Sequence, residues 1–155
     1  MKINFQQSTV HCIASPTNHD LSERFLHAIH EYTNLTYSCL KTSDGYFLEP
    51  LFRKMFFTNS FVPEIVIFVS QDNDQTLLHL NGQPVKTIRV FVRVWFIALM
   101  ILGLFTLITA AVSGGKELFL VLFPISMGIF GYLLCELTTK ATFHTVVTAI
   151  KREFS

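Results

Sequence analysis

Two long runs of apolar residues dominate the second half of the chain. They extend from Val94 to Val112 and from Leu118 to Cys135, and the short segment 113–117 separates them. Each run holds about 18 to 19 residues, which at a rise of about 1.5 Å per helical residue comes to nearly 30 Å, the thickness of a bilayer's hydrocarbon core. The pattern therefore predicts a two-helix transmembrane hairpin over residues 89–136.

Charged residues outside the two runs predict the orientation of this hairpin. The connecting segment holds one base and one acid, whereas three bases precede the first run and three follow the second. These bases are Lys86, Arg89, Arg93, Lys140, Lys151 and Arg152. Because positive residues stay on the cytoplasmic side of a membrane, we expect a multi-pass protein with both termini in the cytoplasm.

The start of the first run combines a base with an aromatic residue. Arg93 stands just before the apolar residues, and Trp95 follows two positions later. A long cationic side chain can keep its charge in the headgroup layer, and Trp favours the same layer. We expect both residues to be membrane-interface anchors; a lipid-binding or gating role for Arg93 is the alternative.

The second run contains a proline and several small residues. Proline breaks the backbone hydrogen-bond pattern of a helix, and small residues let neighbouring helices approach closely. The segment therefore predicts a kink or a helix-packing surface. Its residues are Pro124, Ser126, Gly128 and Gly131.

The first 88 residues alternate in a way that predicts a small α+β domain. Short runs with alternating apolar positions indicate strands, and a segment with a helical apolar face indicates one early helix on an antiparallel sheet. The predicted elements are a strand at Thr9–Ala14, a helix at Leu21–Tyr32, a hairpin around Ser43-Asp44-Gly45, a second hairpin from Ile65–Val69 to Thr76–Leu80, and a last strand at Val85–Val92.

Residues 137–155 predict an amphipathic helix. Phe143, Val147, Ile150 and Phe154 are spaced four, three and four positions apart, which is the helical period. Such a helix could lie on the inner leaflet, continue the second membrane helix, or pack on the N-terminal domain.

Aromatic and basic residues cluster between the two predicted hairpins. Arg53 and Lys54 stand next to Phe56 and Phe57, a combination that could contact lipid headgroups or a partner. We take these four residues as the candidate contact site, and packing in the core is the alternative.

Charge and cysteine usage narrow the classes of function. The formal net charge is +1, and its even distribution disfavours nucleic acid as a partner. The three cysteines, Cys12, Cys39 and Cys135, do not make the pattern of a secreted disulfide scaffold, and unpaired thiols suit a reducing compartment.

The sequence contains little that predicts chemistry. His27 and His30 are three positions apart on the predicted helix, but a zinc site needs three or four ligands. Neither a nucleophile elbow nor a glycine-rich phosphate loop is present. We therefore expect a protein without metal, cofactor or enzymatic activity.

Several residues resemble the pattern of a group of uncharacterised bacterial membrane proteins, two-helix proteins with a soluble N-terminal domain. The residues are Asn59-Ser60-Phe61-Val62-Pro63, Thr76, Trp95-Phe96, Pro124 and Met127. Thr58 and Ile67 stand where that pattern has an arginine and a glycine. The resemblance implies a bacterial inner-membrane protein and carries no function.

Three hypotheses of function follow. The first is a non-enzymatic inner-membrane protein whose cytoplasmic domain, residues 1–88, binds a protein, peptide or lipid partner, and which forms homo-oligomers or joins another membrane protein. The second is an oligomeric membrane-perturbing effector or small channel that the soluble domain gates. The third is an immunity protein against a membrane-active toxin.

Overall fold

The computed structural model describes residues 6–12, 21–51, 61–72, 75–112 and 119–154, and this part of the chain contains strands first and long helices last. The fold class is α+β, as predicted. The elements are β1 (Gln6–Cys12), α1 (Leu21–Thr33), β2 (Tyr37–Thr42), β3 (Gly45–Pro50), β4 (Pro63–Asp72), β5 (Gln75–Pro84), α2 (Lys86–Val112) and α3 (Phe119–Phe154).

The five described strands form one antiparallel sheet with the order β1-β5-β4-β3-β2. Both predicted hairpins are confirmed, since β2 pairs with β3 and β4 pairs with β5. The pairing of β1 with β5 joins segments about 70 residues apart, as in the register Thr9↔His79. A strand from the start of the chain therefore completes a sheet built from consecutive hairpins.

One face of the sheet carries the hydrophobic core. Because side chains alternate across a strand, Leu48, Ile65 and Ile67 point to the same face and are fully buried there. Helix α1 adds Phe25 and Ile29 to this cluster. The predicted helix on an antiparallel sheet is thus confirmed, and its burial pattern follows the helical period.

Local backbone features end α1 and begin β3. Asn34 follows the helix with a φ of 57°, and its N–H donates to the carbonyl of His30 at 3.2 Å, which is a left-handed helix cap. Gly45 has a φ of 156°, and a Cβ there would collide with the carbonyl oxygen of Ile67. Glycine therefore permits the close approach of β3 to β4 after the Ser43-Asp44 turn.

The prediction of a last strand at Val85–Val92 is wrong, because α2 begins at Lys86. Its β-branched residues favour a strand locally. The last register pair between β4 and β5 is Pro63↔Pro84, so the backbone beyond Pro84 has no strand partner in the described sheet. A helix satisfies the same backbone groups internally, and it continues into the long apolar run.

The chain divides into two compact units. The sheet unit comprises Met1–Val85 and Thr138–Ser155, and the apolar unit comprises Lys86–Leu137. Helix α3 belongs to both, since its 36 residues run through Pro124 and beyond Leu137 without a break. The predicted C-terminal amphipathic helix is therefore the last part of α3 and not a separate element.

That last part of α3 packs on the sheet. Phe143, Val146, Ile150 and Phe154 are buried in the same cluster as α1 and the core face. Of the places that the sequence left open for this segment, the structure shows two together, the continuation of the second apolar helix and the packing on the N-terminal domain.

Candidate functional site

Helix α2 exposes an unusually large apolar surface. Ala110 is its only buried residue, although apolar side chains occupy nearly every position after Arg93. The exposed fraction of Met100 reaches 74%. Soluble monomers rarely expose apolar patches of more than a few hundred Å². Other exposed members of this surface are Val94, Ile97, Ile101, Leu104, Phe105 and Ile108.

The first part of α3 has the same character. Bulky apolar side chains are exposed in most turns from residue 122 to residue 137, and together with α2 they make the apolar surface of this unit. By length and composition, both helices could cross a membrane. The exposed residues include Leu122, Phe123, Ile125, Ile129, Phe130 and Leu137.

Hydroxyl groups within this surface bond to their own helices. Thr106 donates to the carbonyl of Gly103 at 2.9 Å, and Thr109 donates to that of Thr106 at 2.9 Å. In α3, Ser126 donates to the carbonyl of Phe123 at 2.9 Å. A hydrocarbon environment offers no other partner, so internal satisfaction of this kind is what it requires.

Three of the four predicted packing residues contact α2. A Cβ at Gly128 would lie 3.5 Å from Cδ1 of Leu99, and one at Gly131 would lie 3.4 Å from the indole nitrogen of Trp95. The ring of Pro124 lies opposite Gly103, at 3.8 Å from the position of a Cβ. These small residues therefore border α2 within the chain, whereas Ser126 is exposed.

The predicted interface anchors lie in the first turns of α2. Arg93 is exposed, and the Trp95 ring stacks on Phe91 with a centroid separation of 6.3 Å. The indole nitrogen of Trp95 also lies close to Gly131, so the indole takes part both in the aromatic stack and in a contact with α3. The structure thus brings Trp95 together with one of the packing residues.

The predicted contact site of Arg53, Lys54, Phe56 and Phe57 lies outside the described residues. The described chain stops at Leu51 after β3 and resumes at Phe61 before β4. Both flanks belong to the sheet unit. The role of these four residues remains a prediction from the sequence.

The second face of the sheet, opposite the core, carries a polar group that the sequence did not reveal. His79 on β5 is hydrogen-bonded through Nδ1 to Thr9 at 3.3 Å and through Nε2 to Ser70 at 3.1 Å. The three residues come from three strands, and β1 is distant in sequence. Only the order of the strands places them side by side, so no local motif could have indicated them.

The same face carries an apolar row. The registers Leu40↔Phe47 and Phe47↔Val66 place these three side chains in line across β2, β3 and β4. Leu40, at the end of the row, has an exposed fraction of 56%, and the neighbouring Phe68 has one of 42%. The second face therefore combines an apolar part near β2 with a polar part near β1.

An ion pair joins α1 to the last turn of α3 within the sheet unit. The guanidinium of Arg24 donates to Oε1 and to the main-chain oxygen of Glu153, each at 3.3 Å. Its central carbon lies 4.5 Å from the centre of the Phe154 ring, in cation–π geometry. Both ends of the pair are partly exposed, so it fixes geometry more than it adds stability.

Burial perturbs two groups near β2. The Tyr37 hydroxyl donates to the carbonyl of Pro63 at 2.9 Å, and burial raises the pKa of this hydroxyl well above its usual range. Burial also raises the pKa of the Cys39 thiol. Both groups therefore stay protonated at neutral pH, which is the inert state of a cysteine.

His27, which the sequence pairs with His30 as a possible metal ligand, makes a polar contact with a neighbouring residue on α1. Its Nδ1 lies 3.4 Å from a carboxylate oxygen of Glu31, one turn further along, and both side chains are exposed. In the described part of the chain, no three His, Cys, Asp or Glu side chains lie close enough together to hold a metal ion.

Comparisons with known proteins do not add a relationship to these observations. No protein-family model, no curated protein and no solved structure matches the chain.

Proposed function

We propose that the protein is an integral membrane protein in which the apolar unit is a two-helix tether and the sheet unit is a partner-binding domain. Helix α2 and residues 119–137 of α3 cross the bilayer, and the sheet unit lies in the cytoplasm, where it binds a protein, peptide or lipid partner. The resemblance to bacterial two-helix proteins favours the inner membrane.

The exposed apolar surface of α2 and α3 carries this proposal. A core helix of a soluble protein can have the same length and composition, but its apolar side chains are buried by the rest of the fold. In α2, residues such as Met100 and Phe105 are more than half exposed. Lipid chains are the environment that makes such exposure favourable.

The internal hydrogen bonds of the spans favour a tether over a channel. A water-filled path needs polar groups that remain available to line it. The hydroxyls of Thr106, Thr109 and Ser126 are already bonded to carbonyls of their own helices. In the described ranges of the two helices, the exposed side chains are predominantly aliphatic and aromatic. Such side chains suit contact with lipid.

A non-catalytic role for the sheet unit accords with the surroundings of His79. The contact between Ser70 and His79 is the kind of pair that nucleophilic catalysis uses. Catalytic histidines are usually oriented by a carboxylate, whereas here the hydroxyl of Thr9 bonds to the second ring nitrogen. The group lies on an exposed sheet face, which suits binding better than catalysis.

Extraction of membranes tests the proposal. The full chain, expressed in a bacterial host, should remain in the membrane pellet after washing with alkaline carbonate and should be released by detergent. Release by carbonate alone would contradict it. Proteins that copurify with the detergent-solubilised chain, compared with those captured by a Leu40→Arg variant, would identify a partner of the second face.

A further inference from the structure

Strand β2 forms one edge of the described sheet, and its hydrogen-bonding groups divide into two sets. The carbonyl of Thr36 accepts a bond from Leu51 at 2.8 Å, which marks Thr36 and Leu51 as a hydrogen-bonded pair. In an antiparallel ladder such pairs occur at every second residue, so Ser38, Leu40 and Thr42 also bond to β3.

The remaining residues of β2 direct their backbone groups away from β3. These are Tyr37, Cys39 and Lys41, which alternate with the bonded set. Pro50 agrees with this assignment, because it stands opposite Tyr37 at a position where β3 needs no N–H towards β2. Since no described strand lies beyond β2, three residues offer N–H and C=O groups along this edge.

The apolar row of the second face ends at the same edge. Val66 and Phe47 lie further inside the sheet and are half-buried, whereas Leu40 is 56% exposed. A strand added beside β2 would extend the row by one residue, and an apolar residue opposite Leu40 would shield it. An antiparallel strand would complement this edge if it carried an apolar side chain opposite Leu40. The residues on either side of that side chain would need backbone groups that face β2.

We propose that a second copy of the chain docks here, with its β2 antiparallel to the first and Leu40 opposite Leu40 of the second copy. This register pairs Cys39 with Lys41 of the second copy and Lys41 with Cys39 of the second copy, which forms about four backbone hydrogen bonds. The two-fold arrangement continues the apolar row from one sheet into the other.

Self-complementarity is the reason for choosing a second copy over an unrelated strand. A complementary segment needs an exposed apolar residue between two residues whose backbone groups face away from their own sheet. Strand β2 has this pattern, with Leu40 between Cys39 and Lys41. Lys41 is a charge of the kind that protects an edge strand from indiscriminate pairing. In the proposed register the two Lys41 side chains are staggered and not directly opposite, so their repulsion is reduced.

The inference goes beyond the proposed function and does not depend on it. Dimerisation through β2 requires only the sheet unit to be folded, in the membrane or in detergent. A failure of membrane extraction would therefore leave this proposal intact, and a failure of dimerisation would leave the tether intact.

Disulfide cross-linking of the full chain tests the register. Opposed residues in a non-hydrogen-bonded pair have Cα atoms about 4.5 Å apart, within the range of about 4.4 to 6.8 Å that a disulfide tolerates. Leu40→Cys should therefore give a covalent dimer on mild oxidation in native membranes. Phe68→Cys is the matched control, since it lies on the same face with 42% exposure but two strands from the edge.

Two outcomes would overturn the proposal. One is a Leu40→Cys chain that stays folded and cross-links no more than Phe68→Cys. The other is an adduct whose mass corresponds to a different protein, which would assign the edge to an extended segment of another partner.

A proline variant supplies an independent readout. Lys41→Pro removes an N–H that faces the edge and none that bonds to β3, so the sheet should keep its circular dichroism spectrum while the dimer is lost in sedimentation velocity. Leu40→Pro removes an inward N–H and controls for damage to the fold. A dimer that persists in folded Lys41→Pro would contradict the proposal.

Discussion

Gly82 on β5 leaves room for the last part of α3 to pack on the sheet. A Cβ at Gly82 would collide with the ring of Phe143, whereas φ at Gly82 does not require glycine. We expect Gly82→Ala to destabilise the sheet unit by about 1 to 3 kcal/mol, the usual cost of overpacking. Chemical denaturation followed by far-UV circular dichroism would measure this change in the free energy of unfolding.

The companion substitution distinguishes a clash from a general effect of replacing residues on β5. Gln83→Ala, at the next position and on the other face, should change the free energy of unfolding by much less. Equal effects of the two substitutions would show that the Phe143 contact is not what Gly82 provides.

The Tyr37 hydroxyl predicts a loss of stability at alkaline pH. Its folded-state pKa is raised by burial, so the protonated form contributes stability that is fully present below the unfolded pKa of about 10 and declines as pH rises above it. Tyr37→Phe should remove this part of the alkaline slope, while costing about 1 kcal/mol at neutral pH for the lost bond to Pro63.

Parallel pH titrations of unfolding would check this prediction. The slopes of the native chain and Tyr37→Phe should diverge above pH 10 and coincide below it. Identical slopes over the whole range would mean that the hydroxyl reaches solvent in the folded protein.

Local sequence patterns predict some residue contacts of this fold and miss others. The spacing of Phe143, Ile150 and Phe154 was readable because a helical face repeats locally. The contacts of Arg24 with Glu153 were not, because they join positions 129 residues apart. The Thr9–His79–Ser70 group was hidden for the same reason, since its members become neighbours only through the pairing of β1 with β5.

At the scale of elements, the last part of α3 is a structural member of the sheet unit. Ile150 is fully buried in the core cluster, and His144 is exposed on the same helix. We expect Ile150→Ala to lower the free energy of unfolding by about 2 to 5 kcal/mol, the range for a large-to-small core substitution. His144→Ala should be nearly neutral.

Thermal or chemical unfolding of the sheet unit within detergent-solubilised full chain would measure both variants. If Ile150→Ala unfolds like the native chain, the helix is not held in the core. The sequence predicts the apolar face of this helix but not its partner, because a face of four apolar residues over about three turns suits a membrane surface and a sheet equally well.

The strands show where local patterns succeed and fail. Alternation and turn residues predicted the two hairpins, because each is formed by segments adjacent in sequence. Residues 85–92 have the same β-branched character, yet they are helical. Strand propensity describes how well a residue fits into a sheet. Residues 85–92 do not form a strand, because the described sheet offers no strand for them to pair with beyond Pro84.

At the scale of the whole molecule, the proposed membrane tether predicts that charges in the middle of α2 weaken retention in the membrane. A double substitution of Ile101→Arg and Leu104→Arg places two charges in the middle of α2, each costing about 2.5 to 3.5 kcal/mol at the centre of a bilayer. The variant should lose retention in carbonate-washed membranes.

Leu40→Arg is the matched control for that experiment. It introduces the same side chain at an apolar residue of similar exposure in the sheet unit, and its retention should equal that of the native chain. Full retention of the α2 variant would argue that this helix is not in contact with lipid chains.

The most direct test of the account measures whether a bilayer covers α2. In a chain whose native cysteines are replaced by alanine, Met100→Cys and His27→Cys, an exposed position on α1, would be treated with a membrane-impermeant maleimide in opened membranes. The fold itself leaves Met100 74% exposed, so protection of this residue must come from outside the folded chain. We predict rapid labelling of His27→Cys and labelling of Met100→Cys only after detergent is added; equal labelling of both in intact bilayers would contradict the account.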